Sequence, residues 1–131
     1  MPESGAGSGW LVVEDELLIA MLIEDALCDL NISVLGPAGT VAQALALIDG
    51  HSIEGALLDV NLAGQPIYPV AQALSARGIP FAFVTGYGEH GVGREFADRP
   101  VLHKPFAIEN IQHTVRQLRA GRAAEAPHPA G

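Results

Sequence analysis

Apolar residues along this chain fall into two rhythms. Short dense runs occur at 10–13 (WLVV), 32–35 (ISVL), 55–58 (GALL), 80–84 (PFAFV) and 100–103 (PVLH). They are rich in branched and aromatic residues and bounded by Gly, Asn or Pro, which predicts strands buried on both faces. Between them, apolar positions recur at helical spacing: Ile19, Leu22, Ile23, Ala26, Leu27 and Leu30; Val41, Ala44, Leu45 and Ile48; Val70, Ala73 and Leu74, with Gly78 as the expected stop; and Ile108, Ile111, Val115 and Leu118 after Pro105. The segment 86–99 should hold the remaining helix, yet it contains Gly86, Gly88, Gly91 and Gly93. Each interior glycine costs about 1 kcal/mol relative to alanine, so a short or mobile helix is expected there. Strands alternating with helices predict an α/β fold: one doubly wound five-stranded parallel sheet with helices on both faces. Residues 1–9 and 121–131 are small and polar and are expected to be flexible tails around a domain at 10–120.

Composition narrows the function classes. The 131 residues suit one domain, and 49% hydrophobic with 17% charged residues is a globular balance. A formal net charge of -8 argues against direct nucleic-acid binding and against anionic membranes, because both need a basic patch. The one cysteine, Cys28, cannot form an internal disulfide, and its place in a helical apolar pattern reads as a buried, inert thiol. The longest apolar run (17–23, LLIAMLI) is too short to span a bilayer, and residues 1–9 are unlike a signal peptide, so a cytoplasmic location is expected.

Chemistry gathers where the predicted strands end. Open parallel α/β sheets bind ligands beyond the carboxyl ends of their strands. Here those ends carry Glu14 and Asp15, then Asp59, Thr85 and Lys104, the last being the sole lysine of the chain. Singly, each has a structural alternative: a helix cap, a turn residue or a solvated lysine head. Together on one rim, three carboxylates repel one another unless a cation joins them, and oxygen ligands of this kind suit Mg²⁺. Lys104 facing Asp59 would keep it ionised, making Asp59 a nucleophile for phosphoryl transfer. Mg²⁺ and Lys104 would neutralise the transferring oxygens, Thr85 would hydrogen-bond one of them, and Gly86 leaves room for the group.

The ordered set ED (14–15), LLDVNLAG (57–64), FVTGYG (83–88) and KPF (104–106) resembles the receiver domain of bacterial two-component response regulators across roughly residues 10–120. The resemblance implies the flavodoxin-like strand order 2-1-3-4-5 of CheY-like proteins. It also implies that Asp59 accepts a phosphoryl group from a histidine kinase. Mg²⁺ would be held by Asp15, Asp59 and the backbone carbonyl of Asn61, with Glu14 acting through water. Thr85 and Lys104 would contact the phosphoryl oxygens, and the bond from Lys104 to Pro105 would be cis. PFAFVTGYG with PVLHKPF is similar to the FAT GUY subgroup, with Val84 in place of the usual alanine. That similarity implies a kinase of the HWE or a related type, or a phosphotransfer protein, and an alphaproteobacterial host.

One departure bears on signalling. Receivers of this kind carry Tyr or Phe three residues before the lysine, and here that position is Val101. Ordering of the segment 86–99 around Thr85 is therefore the expected relay. His103, beside the lysine, could reach the site, but strand alternation points it to the face opposite Lys104, where packing is its expected role. Asn61 and Tyr87 are candidates to influence water attack on the acyl phosphate, and so the signal lifetime; a surface tyrosine in a mobile loop is the alternative for Tyr87.

The leading expectation is a receiver that acts on a downstream protein partner, as a phosphate sink, or as a fragment of a longer protein. A haloacid dehalogenase-type phosphatase also uses Asp, Thr, Lys and Mg²⁺, but its nucleophile follows the first strand and a second Asp lies two residues on, where this chain has Asn61. A flavin binder would need a phosphate-cradling loop after the first strand in place of EDEL. A pseudo-receiver working without phosphorylation is opposed by the complete acid, Thr and Lys set.

Overall fold

The computed structural model describes residues 8–62, 64–86 and 94–125. The first apolar run forms β1 (Ser8–Val13), in which Trp10, Leu11, Val12 and Val13 are all buried. Helix α1 (Leu17–Asp29) buries Ala20, Ile23, Ala26 and Leu27. It stops where Asn31 adopts φ 61, a left-handed conformation that asparagine tolerates better than most residues. The N–H of Ile32 then donates back to Leu27 O at 3.0 Å, which ties residue 32 to the helix end. Strand β2 consequently spans Val34–Ala38, later than the expected 32–35.

Helix α2 (Val41–Gly50) begins with a reciprocal cap. Thr40 Oγ1 accepts from the Gln43 N–H at 3.1 Å, while Gln43 Oε1 accepts from the Gly39 N–H at 2.8 Å. Strand β3 (Ser52–Asp59) leads into a small antiparallel pair, β4 (Asn61–Leu62) and β5 (Gln65–Pro66), which the apolar pattern did not signal. Helix α3 (Tyr68–Ala76) ends at Gly78 as expected, with φ +68 and the Gly78 and Ile79 N–H groups closing onto Ser75 O and Leu74 O. Then come β6 (Phe81–Thr85), a 3-10 turn at Arg94–Phe96, β7 (Val101–His103) and α4 (Ile108–Glu125).

The strands form one parallel five-stranded sheet in the order β2-β1-β3-β6-β7. Counted along this sheet alone, that is the flavodoxin-like 2-1-3-4-5. Strand alternation divides the interior into two cores. Leu11, Val13, Ala56, Leu58, Phe81 and Phe83 face α2 and α3, whereas Trp10, Val12, Leu57, Ala82, Val84 and Leu102 face α1 and α4.

Two expectations need correction, and a third falls largely outside the described residues. In the described part of 86–99 the predicted helix is a single 3-10 turn, and residues 87–93 lie outside the described residues. Helix α4 continues through Glu125, past the expected domain boundary at 120; residues 1–7 and 126–131 of the expected tails lie outside the described residues. Cys28 is exposed, because the inward stripe of α1 passes through Ala26 and Leu27 and leaves residue 28 on the outer side. Among the described residues, no helix is long and apolar enough to cross a membrane.

Trp10 and Gly55 pair across β1 and β3, and a Cβ on Gly55 would meet the Trp10 indole at 2.5 Å. Gly55→Ala should therefore lower unfolding stability by about 1–3 kcal/mol through overpacking. A urea titration followed by Trp10 fluorescence measures this; an unchanged midpoint would show that the indole moves aside freely.

Candidate functional site

The carboxyl edge of the sheet brings the expected side chains together. Asp59 is the last residue of β3 and Thr85 the last of β6, and they are 2% and 3% exposed. Glu14, directly after β1, is 2% exposed, while Asp15 is open to solvent. Backbone bonds fix these ends: the Glu14 N–H donates to Ala38 O at 2.9 Å, and the Lys104 N–H donates to Thr85 O at 2.8 Å. The Asn61 N–H donates to Asp59 Oδ1 at 3.0 Å, holding that carboxylate in a tight turn. The Lys104–Pro105 bond is cis, and Gly86 follows Thr85 half-buried. Tyr87 lies outside the described residues.

Lys104 reaches into the acidic group. Its Nζ lies 3.7 Å from Asp59 Oδ2, 3.6 Å from Glu14 Oε1 and 2.6 Å from Glu16 Oε1. Glu16 was not among the candidates read from the sequence. It sits at the N-cap position of α1, where it makes no side-chain cap bond and its carboxylate is free to swing over the rim. The third acidic letter of EDEL was the available signal. The Glu16 N–H is instead satisfied by Glu14 Oε2 at 3.1 Å.

His103 also departs from expectation. Alternation does place it with Thr85, but the outcome is a polar contact, with Thr85 Oγ1 and His103 Nδ1 3.1 Å apart on an exposed side chain. The packing role is therefore corrected: the cross-strand pairing of Thr85 with His103 puts a hydroxyl beside the ring.

Burial, followed by the neighbouring Asp59 carboxyl, pushes the Glu14 pKa up from 4.5 to about 8. Burial also raises Asp59, against the lowering pull of the neighbouring Glu14 carboxyl, the Asn61 N–H and the Lys104 charge. Burial alone would lower Lys104, but the bond to Glu16 and the charges of Glu14 and Asp59 outweigh it and raise its pKa. One carboxylate oxygen from each of Glu14, Asp15 and Asp59 lies within 4.8 Å of the others, and Glu14 Oε1 is buried without a hydrogen-bond partner. Hard oxygen donors so gathered, one of them unsatisfied, fit a small divalent cation such as Mg²⁺.

No family model matches the chain. It is 45% identical to SdrG of Sphingomonas melonis Fr1 in a solution structure that covers 88% of this chain and 96% of that one, with a TM-score of 0.75. A BeF3-activated form of SdrG matches with a TM-score of 0.71. The receiver (REC) domain of the response regulator PhyR from Erythrobacter litoralis is 27% identical over 97% of this chain and 98% of that one, with a TM-score of 0.71. The phyllosphere-induced regulator PhyR of Methylorubrum extorquens is 31% identical over 82% of this chain and 42% of its own length. The chain belongs to the response regulator receiver domains, the CheY-like phosphoacceptor modules of two-component systems. It spans about half or less of the length of the curated relatives it matches.

Between pH 4.5 and about 8 the folded protein keeps a proton on Glu14 that the unfolded chain has released. Stability without metal should therefore fall as pH rises across that window. Melting curves in chelator from about pH 5 to about pH 8 test this. Glu14→Gln should flatten the slope, and added Mg²⁺ should raise stability most at the alkaline end, since it needs the ionised carboxylate. An identical slope in Glu14→Gln would locate the dependence elsewhere.

Proposed function

We propose that Asp59 is the phosphoacceptor of this receiver, taking a phosphoryl group from the phosphohistidine of a histidine kinase of the HWE type or of a phosphotransfer protein. The supporting observation is Lys104 Nζ, 3.7 Å from Asp59 Oδ2 at the edge of a three-carboxylate cluster. An Asp59 carboxylate oxygen attacks phosphorus as the P–N bond breaks and its electron pair returns to the donor imidazole, leaving an acyl phosphate. Lys104 orients and offsets the charge of the incoming oxygens, and Thr85 offers one of them a hydroxyl. Glu14, Asp15, Asp59 and the Asn61 carbonyl would hold Mg²⁺, which when bound supplies charge neutralisation at the phosphoryl oxygens. Gly86 leaves space for the group. Asn61, two residues after Asp59, and Tyr87, two after Thr85 in the sequence, are the candidates to influence water attack on the acyl phosphate, and so the lifetime of the signal.

The Phe83-Val84-Thr85-Gly86-Tyr87 run supports placing the chain in the FAT GUY subgroup. The signal would pass through contact with a downstream protein in the cytoplasm, and the acidic charge of -8 speaks against a direct nucleic-acid target.

Incubation with acetyl phosphate and Mg²⁺ should add the mass of one phosphoryl group, and Asp59→Asn should abolish the gain. A gain that survives Asp59→Asn would overturn this assignment. Glu16→Gln removes the carboxylate nearest Lys104, which should speed acyl-phosphate formation about two- to fivefold, the scale of one partly exposed ion pair. Stopped time courses of intact mass measure the rate, and an unchanged rate would show that Glu16 does not compete for the lysine.

A further inference from the structure

Thr85, one of the two donors that would meet a phosphoryl group, already has a partner from the neighbouring strand. Thr85 and His103 pair across β6 and β7, and Thr85 Oγ1 lies 3.1 Å from His103 Nδ1. Phe83 and Val101, two residues back on the same strands, pack towards the α2 and α3 core, so alternation puts Thr85 and His103 on that side too. Val101 has neither a ring nor a polar atom to sense where Thr85 sits. His103 is thus the described side chain on β7 that touches the hydroxyl.

A threonine hydroxyl carries a single proton, which it gives either to the imidazole or to an oxyanion. We infer that His103 is a positioning residue: its Nδ1 accepts the Thr85 hydroxyl proton bond in the unphosphorylated protein, and Thr85 transfers that bond to a phosphoryl oxygen when Asp59 is modified. The inference rests on Asp59 being the phosphoacceptor. No covalent step is involved; one hydrogen bond is exchanged for another that ends on a charged oxygen and is therefore stronger.

The exchange has an outlet at the surface. His103 is exposed and lines a surface cavity of about 360 Å³ together with Val101, Pro105, Phe106, Asn110 and His113. Once Thr85 lets go, the exposed imidazole is free to reorient at the open β7 edge of the sheet, which that cavity borders. The state of Asp59 is then presented at the β7 edge with no aromatic side chain swinging inward.

Long-range proton–nitrogen spectra of the imidazoles in the ¹⁵N-labelled full chain, with and without beryllofluoride and Mg²⁺, test the exchange. His103 is assigned by its loss in His103→Val. The expected result is an Nε2–H tautomer with Nδ1 as acceptor in the free protein, and a clear shift of Nδ1 on adding beryllofluoride. His103→Val, with no bond to surrender, should bind beryllofluoride about two- to tenfold more tightly, and His103→Asn, which keeps a short acceptor, should fall between. The Asn61 and Gly86 amides report binding at Asp59 independently. Silence at those amides would sink the phosphoacceptor assignment and the exchange with it. Movement there, with His103 nitrogens fixed and the His103→Val affinity unchanged, overturns the exchange alone.

Discussion

One ammonium among carboxylates organises this molecule. Lys104 lies within 4 Å of oxygens on Glu14, Glu16 and Asp59, in a chain that carries 15 acidic residues and no second lysine. Two of those carboxylates are almost wholly withdrawn from water, where an uncompensated charge is costly. The protein meets that cost in two ways at once: Lys104 offsets part of the charge, and Glu14 keeps a proton up to about pH 8. The result is a site whose charge is adjustable. A divalent cation would be held best with Glu14 ionised, and a phosphoryl group on Asp59 would meet a lysine already in place.

That arrangement depends on the sheet because its members come from four separate places in the chain. Parallel pairing brings the ends of β1, β3 and β6 to one edge, and the Lys104 N–H to Thr85 O bond pins the fifth strand's exit beside them. Small backbone adjustments then set the reach of each side chain. The tight turn at Asp59, closed by the Asn61 N–H, limits which way the carboxylate points. Gly55 lets the Trp10 indole lie across β3 four residues before the site, so the central strand is gripped from its α1 side without crowding.

How much of this was readable in the sequence follows from the kind of information each feature needs. The dense runs such as 10–13 (WLVV) can be buried on both faces only as central strands, so the sheet was legible, and Gly78 marked the end of α3 through its tolerance of positive φ. The rim residues Glu14, Asp15, Asp59, Thr85 and Lys104 were legible because strand ends fix their positions. The start of β2 was not: it depends on Asn31 taking a left-handed turn, which one asparagine between two apolar runs does not announce. Cys28 shows the width of a helical stripe misjudged by one position. Glu16 was missed as a site neighbour and His103 was assigned to packing, for different reasons. The first depends on where a long exposed side chain comes to rest, and the second on cross-strand register, which a single strand's alternation does not contain.

The division of the interior into two cores has a consequence for how the edge behaves. Strands β6 and β7 send Phe83 and Val101 to one side and Val84 and Leu102 to the other, so the sheet acts as a partition between two nearly independent packings. Thr85 and His103 belong to the α2 and α3 side, whereas Glu14 and Glu16 lead into α1 on the opposite side. The rim above the partition is where the two sides meet. Lys104 and Thr85, joined by one backbone bond, would each have to take up new contacts around a single added group, and each is tied to a different half of the molecule. A group added at this rim would therefore pull on the two sides of the sheet separately.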